Sequence, residues 1–395
     1  MKQTIWKLEN CIKDYDWGSI DSITTLFGIK NPSQKPMAEI WMGIHPLGCS
    51  KIIGLNGEKI NLNALINQNP LQILGKNTYQ LFGTLPYLFK VLAANKPLSI
   101  QVHPTKADAK KGFEKENKLG IDLHSPNRNF KDPNHKPELL YALTPFKAMN
   151  SFRPIEQILS FFSQLTIPIF NHELVQLQNN PYPKQLKHFI QFLLNLSPDQ
   201  KLQAIHQLLA CTRSFNQEPF LTIHTLVKDY PNDIGLFMPL ILNVIELKPS
   251  QAMFLHAQTP HCYLSGTGFE VMANSDNVLR AGLTHKFIDI DALIANTNFS
   301  STDASELLIN PLINHNKIDF PVPVNDFKFE IIQSDLQLRK EKVNSPQILF
   351  CVDGAITLTT KHEVLTLNKG ESVFIAYHAK YYSYSGKGCF AKVSD

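Results

Sequence analysis

The chain repeats a stretch of itself, and that repeat limits the possible folds more than any other feature. LKPSQAMFLHAQTPHCYLSG (247–266) lies over LNKGESVFIAYHAKYYSYSG (367–386) without a gap, 120 residues further on. Leu247/Leu367, Phe254/Phe374, Ser265/Ser385 and Gly266/Gly386 are identical, and Met253/Val373 and Leu255/Ile375 are conservative. Both copies read as strand, turn with Gly or Pro, strand, loop, strand, which is how a chain crosses a small antiparallel barrel. Two hairpins can look alike by chance, but twenty residues without a gap favour a duplicated β unit. The copies differ where it matters chemically: His261 of the first is Tyr381 of the second. The first barrel keeps a potential ligand that the second lacks.

The texture along the chain fits two barrels with something between them. Up to about residue 150, short apolar runs such as LPYLFKVLAA, KPLSIQVHP and PELLYAL alternate with Pro, Gly and Asn, as strands and turns do. From about 154 to 235 apolar residues fall three and four apart, in IEQILSFFSQL, KQLKHFIQFLLNL and DQKLQAIHQLLACTRS. Ser197-Pro198-Asp199 reads as a helix start with Pro in the first turn. Strand texture returns at Leu240. The division expected is 1–150 plus 236–315 for the first barrel, 151–235 for a helical insert, and 316–395 for the second barrel.

Composition excludes several classes of function. Lys plus Arg exceed Asp plus Glu by only four, and the two signs are interspersed, so no nucleic-acid face is expected. No apolar run reaches membrane-spanning length, and MKQTIWKLEN lacks the apolar core of a secretory signal. The six cysteines are scattered with no CxxC, as free thiols in a reducing compartment would be. A cytoplasmic protein without nucleic-acid or membrane partners is the expectation.

Three segments carry candidate chemistry. In KPLSIQVHP, strand alternation puts Leu98, Ile100 and Val102 on one face and Ser99, Gln101 and His103 on the other. Water could satisfy that polar face, but Pro104 stops the run and leaves His103 at a strand end. In DPNHKPELLYAL, Lys136, Glu138 and Leu140 share a face, and a carboxylate inside an apolar strand needs a cation if it is buried. In QTPHCYLSGTGFEVMANSDNVLRAG, His261 follows a Pro, Glu270 lies in the next strand, and the turn NSDN leads to Arg280. Each piece alone has a plain structural explanation. Together they offer two imidazoles, one carboxylate and one amide oxygen, a set suited to a divalent metal, zinc by preference. With one anionic ligand the ion would keep positive charge and act as a Lewis acid.

The sequence resembles the type I phosphomannose isomerase family. The resemblance is carried by YDWGS (15–19), MAEIWMGIHP (37–46), LPYLFKVLAANKPLSIQVHP (85–104), NFKDPNHKPELLYALTPFKAMNSFRP (129–154) and HCYLSGTGFEVMANSDNVLRAGLTHKFIDI (261–290). It covers nearly the whole chain and is weakest in the helical insert. It implies a mainly β fold of two cupin-like antiparallel β-barrels of jelly-roll type with an inserted α-helical domain, the second barrel free of metal. The ligands it implies for one zinc ion are Gln101, His103, Glu138 and His261. It also implies an active-site arginine at Arg280, pocket residues at Ser99, Lys136 and Glu270, and a pocket wall at Trp17. Two positions depart from the family pattern. Ser151 stands where Gly or Ala is common, and His285 follows Thr284 where Pro is usual. Neither belongs to the implied metal set.

The implied reaction interconverts mannose 6-phosphate and fructose 6-phosphate. A proton must move between C2 and C1 through an enediolate whose charge a metal can stabilise, and a base must take and return that proton. Glu270 and Lys136 are both candidates for the base. Arg280 could meet the enediolate or the phosphate, and Ser99 could bind the phosphate. The expected partner is a small sugar phosphate, and the expected state is a monomer. Two other readings exist: an Fe(II) cupin oxygenase and a sugar-binding cupin without catalysis. The amide ligand together with the phosphate-suited Ser and Arg favours the isomerase.

Overall fold

Two strands of thirteen residues, His261–Ala273 and Gln347–Thr359, organise the chain. The computed structural model describes residues 3–54 and 57–395. Each long strand belongs to two sheets. The first half of His261–Ala273 pairs with Ile100–Val102 and Phe146–Phe152, and its second half with Tyr87–Ala94 and Glu138–Ala142. A register shift between Tyr263 and Ser265 marks the change of sheet. Gly266 sits there at φ 120, where a side chain would be strained and would meet the Pro145 carbonyl at 2.6 Å. In the C-terminal unit, Gln347–Thr359 pairs with Ser372–Ile375 and Gly388–Ser394 along one half, and with Val364–Asn368 and Tyr381–Ser385 along the other.

The ladders between named strands are all antiparallel, and strand exceeds helix as expected. Among the described residues the ladders branch at the long strands and do not close into rings. Each unit is therefore a pair of sheets sharing one bent strand, rather than a closed barrel.

The two units meet face to face through aromatic rings. Tyr87–Ala94 is buried at every position because both its faces are covered. Phe89 and Val91 face the C-terminal unit, while Leu92 and Ala94 face the interior of the first. Phe269 centres this contact, 5.2 Å from Phe89 and 5.4 Å from Phe350 between ring centroids. The N-terminal strand Ile5–Glu9 pairs with Ser372–Ile375, so the start of the chain is part of the C-terminal sheet.

The insert forms the helices Ile155–Phe162, Asn171–Asn179, Pro183–Leu194, Pro198–Thr212 and Phe220–Leu226. Ser197 and Gln200 make a full capping box with Pro198 in the first turn, as the sequence suggests. The apolar core of the insert packs on Ile100, Val102, Cys262 and Leu264, the back of the strands that carry the candidate ligands. Reading the first 150 residues as strands misses five helices, the longest Lys106–Lys118. That helix is mostly polar and has little apolar period to reveal it. Its start is fixed by Thr105, whose side chain accepts from the Asp108 N–H.

Register relates the two units residue by residue. Leu255 pairs with Glu138, and Ile375, 120 positions on, pairs with Gln347. Gln347 is thus the counterpart of Glu138. Leu140 and its counterpart Leu349 pair with Glu270 and Lys392 respectively, and those two pair with Lys90 and Glu330. The gapless overlay of His261 on Tyr381 does not survive this test. His261 points inward, whereas Tyr381 is 46% exposed and Tyr382 is 1% exposed. The turn before Tyr381 shifts the strand by one residue, which exchanges its faces, so Tyr382 is the inward counterpart of His261.

Candidate metal centre

Ladder geometry brings the candidate ligands together from three strands. Gln101 lies directly opposite His261 on one side and Arg280 on the other. Glu138 opens the strand Glu138–Ala142, two positions from Leu140, which faces Glu270. His103 follows Ile100–Val102, just before the Pro that ends the run.

His103, Glu138 and His261 each offer a ligand atom, and these atoms all lie within 4.8 Å of one another. His103 Nε2 is 3.4 Å from Glu138 Oε1, and His261 Nε2 is 3.3 Å from Glu138 Oε2. All three residues are buried. The two imidazoles are held alike: Nδ1 of His103 lies 2.8 Å from the Asn277 carbonyl, and Nδ1 of His261 lies 2.9 Å from the Thr259 carbonyl. Each ring therefore donates at Nδ1 and presents a bare Nε2 inward. His103 Nε2 is buried without a hydrogen-bond partner. An orphan imidazole nitrogen is costly unless something binds it, and a cation fits this pocket of two imidazoles and a carboxylate.

Protonation agrees with that reading. Burial, helped by the Lys136 ammonium, pushes His103 down to about 4, so the ring is neutral at pH 7. Burial would raise Glu138, but Lys136 and His103 outweigh it and hold the carboxyl well below its usual range. Lys136 Nζ lies 2.7 Å from Glu138 Oε1. Gln101 is half-buried, and its Nε2 donates to Ser99 Oγ at 3.4 Å. That direction leaves its amide oxygen for an inward partner.

Beside this group is a cavity of about 70 Å³, lined by Ser99, Gln101, Lys136, Glu138, His261 and Glu270 among others. Glu270 is anchored by Lys90, whose Nζ lies 2.7 Å from Oε2 and also 3.3 Å from Glu39 Oε1. Burial and the Glu138 charge raise the Glu270 carboxyl, with Lys90 opposing them. Glu39 also accepts from Trp41 Nε1 at 2.8 Å. Trp17 packs against the apolar cluster around Leu92, Leu98 and Tyr263 that walls the cavity, without lining the cavity itself.

Arg280 does not line this cavity. It opens on an adjoining cleft of about 400 Å³ with Arg128, Lys131, His285 and Lys286. Burial lowers both Arg280 and Lys286, and Arg280 also disfavours charge on Lys286. Asp276 lines the cleft as well, so its walls carry both signs with the cations in excess. His285 lies in this cleft and outside the ligand group. Ser151 has φ 59, a left-handed conformation that explains why glycine would suit the position.

Sequence reasoning missed Glu39, Lys90 and Tyr263, all of which line the cavity. Lys90 and Glu39 sit within apolar strands, where a charge is itself a signal. Tyr263 Oη is buried and unpartnered. It also missed the strap that holds His103. Asn277 donates through Nδ2 to the carbonyls of Asp132 and Asn134 at 2.7 and 2.8 Å, and accepts from the Lys131 N–H at 2.7 Å. Its own carbonyl is the one that meets His103. Asp276 next to it pairs with His45 at 3.3 Å.

Residues 5–155 match the family model "Phosphomannose isomerase type I, catalytic domain", and residues 316–394 match "Mannose-6-phosphate isomerase, cupin domain". The chain is 46% identical to the mannose-6-phosphate isomerase of Salmonella typhimurium, over 98% of each chain. It is 32% identical to that of Homo sapiens, over 94% of this chain and 93% of the human one. A crystal structure of the Salmonella typhimurium enzyme bound to fructose 6-phosphate and zinc superposes with a TM-score of 0.94, at 45% identity and complete coverage of both chains.

Proposed function

The chain belongs to the type I phosphomannose isomerase family, and from that premise we propose that it interconverts mannose 6-phosphate and fructose 6-phosphate at the buried His103–Glu138–His261 centre. The observation that carries this is the orphan Nε2 of His103 facing a carboxylate and a second imidazole. One zinc ion is held by those three residues and Gln101. It supplies positive charge beside the sugar oxygens where the enediolate develops.

The protein groups do the rest. Glu270 is the base for the C2 proton: it is a carboxylate on the cavity wall, raised by burial and fixed by Lys90. Lys136, bonded to Glu138, is held as a donor to the sugar oxygens. Tyr263 Oη is free to hydrogen-bond the substrate. Ser99 sets the rotamer of Gln101 and contacts the sugar, and Trp17 backs the wall. The phosphate lies in the outer cleft against Arg280, Lys131 and Lys286. On this reading Arg280 serves the phosphate rather than the enediolate.

We assign the metal to the first unit alone, in the division 1–150 plus 236–315, 151–235 and 316–395, with Ile5–Glu9, Lys51–Ile53 and Lys59–Asn61 extending the C-terminal sheet. Gln347 and Tyr382, the counterparts of Glu138 and His261, supply neither a carboxylate nor an imidazole. Free cysteines and balanced charge support a cytoplasmic monomer without nucleic-acid partners. Among the described residues no helix is long and apolar enough to cross a membrane.

The test is production of fructose 6-phosphate from mannose 6-phosphate in deuterium oxide, with and without chelator. Turnover and solvent deuterium in the product are expected, both lost on chelation and regained with zinc. Glu270→Gln should stop deuterium entry while zinc stays bound. Full turnover in metal-free protein would overturn the proposal.

A further inference from the structure

A cleft of about 620 Å³ on the outer face of the C-terminal unit has no part in the isomerisation. Lys340, Lys361 and Lys380 line it together with His362 and His378, and no carboxylate is among the lining residues. Among the described residues none of the three ammonium groups is in an ion pair. Two of them rest on aromatic rings: Lys340 Nζ lies 4.3 Å from the Tyr381 ring centroid, and Lys380 Nζ lies 3.6 Å from that of Tyr377. A ring holds an ammonium in place without neutralising it, so its charge remains available.

The backbone supports a binding role. Lys380 has φ 60 and ψ −44, a conformation that strains a residue bearing a side chain. A glycine would remove that strain, yet a cation stands there. Register then lines up donors across three strands, because Ser383 lies opposite Lys340 on one side and Thr359 on the other. His378 helps to fix the wall, its ring nitrogens lying 3.2 Å from the Gln72 carbonyl and 3.1 Å from the Gln3 carbonyl, to one of which it donates. In the first unit the same outer face consists of Ile100, Val102, Cys262 and Leu264 and is covered by helices. In the second it is polar, cationic and open.

We propose that this cleft binds a phosphorylated small molecule, its phosphate held by Lys340 and Lys380 with the hydroxyls of Thr359 and Ser383. The volume is that of a metabolite site, and unpaired ammonium groups with hydroxyls are the chemistry that recognises a phosphate ester.

The experiment is calorimetric titration of inorganic pyrophosphate into the zinc-loaded full chain and into the double variant Lys340→Ala/Lys380→Gly. Glycine accepts φ 60 without strain, and Lys340 is exposed, so the variant should fold. Its isomerase kcat/KM should match the parent, which separates this site from the catalytic one. Loss of two charge-assisted contacts should weaken pyrophosphate binding by about tenfold or more. A phosphosugar and a nucleoside diphosphate, used as displacers, separate the two sources of such a phosphate. Equal affinity in parent and variant, or no saturable binding up to millimolar pyrophosphate, would overturn the proposal.

Discussion

Replacing Asn277 tests whether the strap behind His103 sets the metal affinity. The side chain is fully buried, and its three shortest bonds, to Lys131, Asp132 and Asn134, join the turn after Ala273 to the segment leading into Lys136 and Glu138. Asn277→Ala removes these bonds, leaving the Lys131 N–H and the Asp132 carbonyl without them and the Asn134 carbonyl with Ser275 Oγ alone, a loss of three good bonds. At about 1 kcal/mol for each, with water entering the polar gap, the fold should lose about 3 kcal/mol. The backbone carbonyl that holds His103 Nδ1 remains but is no longer fixed. Loss of such an orienting contact typically costs 10–100-fold in metal affinity, or about 1.4–2.7 kcal/mol. Chelator competition measures that affinity, and urea unfolding of metal-free protein measures the stability. Asn277→Asp keeps the acceptor for Lys131 but turns a carboxylate on two carbonyls, so it should do no better than Ala. With zinc saturating, both variants should recover most of kcat, since the strap touches no substrate. If stability falls while zinc affinity stays within about twofold of the parent, the strap serves only the fold and the reasoning fails.

Three further outcomes follow from the same geometry. Lys90→Met should cost about 3–5 kcal/mol in urea unfolding, because Glu39 and Glu270 are left buried and unpaired; adding Glu270→Gln should restore part of it, and a single variant as stable as the parent would refute the pairing. Arg280→Ala should raise KM by roughly 30-fold, about 2 kcal/mol, and erase the preference for phosphorylated over plain mannose; a fall in kcat at unchanged KM would move Arg280 to the enediolate. The third concerns acid. Unfolded His103 takes a proton at 6.5, while in the folded chain it resists until about 4, so metal-free protein should lose about 3 kcal/mol as pH falls from 6.5 to 4. Glu138 adds to the loss below pH 4.5, since its folded carboxyl is held below that value. His103→Asn should flatten the upper part of this curve, and an unchanged curve would show that the acid loss has another source.

The sequence exposed the candidate ligands of one strand because strand alternation is local. Ser99, Gln101 and His103 share a face whatever the rest of the chain does, and Pro104 marks the strand end. What it could not expose was what those residues meet. Lys90 and Glu270 are 180 residues apart, and only the pairing of their strands joins them. The same holds for Asn277, whose side-chain partners lie in a turn more than 140 residues earlier. Arg280 shows the limit from the other side. Its ladder position opposite Gln101 puts it beside the metal group, yet its side chain opens on a different cleft, and spacing carries no sign of that choice.

The repeat shows the same limit in one comparison. Identity at Leu247/Leu367, Phe254/Phe374 and Gly266/Gly386 revealed two related units, because apolar strand residues and a strained glycine are bound to their places. Between those anchors, a one-residue shift put Tyr382 rather than Tyr381 at the place of His261, a change invisible to a gapless overlay. The register then shows how the second unit balances its charge. Where the first has Lys90 facing Glu270, the second has Glu330 facing Lys392, with the signs exchanged. Lys392 also reaches Glu341, opposite Tyr382, at 2.8 Å, as Gln101 stands opposite His261. An ammonium group thus meets a carboxylate at the counterpart of a ligand position. A lysine that supplies its charge from within the chain leaves Glu341 and Glu330 no need of a bound cation. The first unit keeps Lys90 on the Glu270 side, and although Lys136 meets Oε1 of Glu138 at 2.7 Å, two bare imidazole nitrogens face the same carboxylate, and a lysine cannot satisfy all three as a bound cation does.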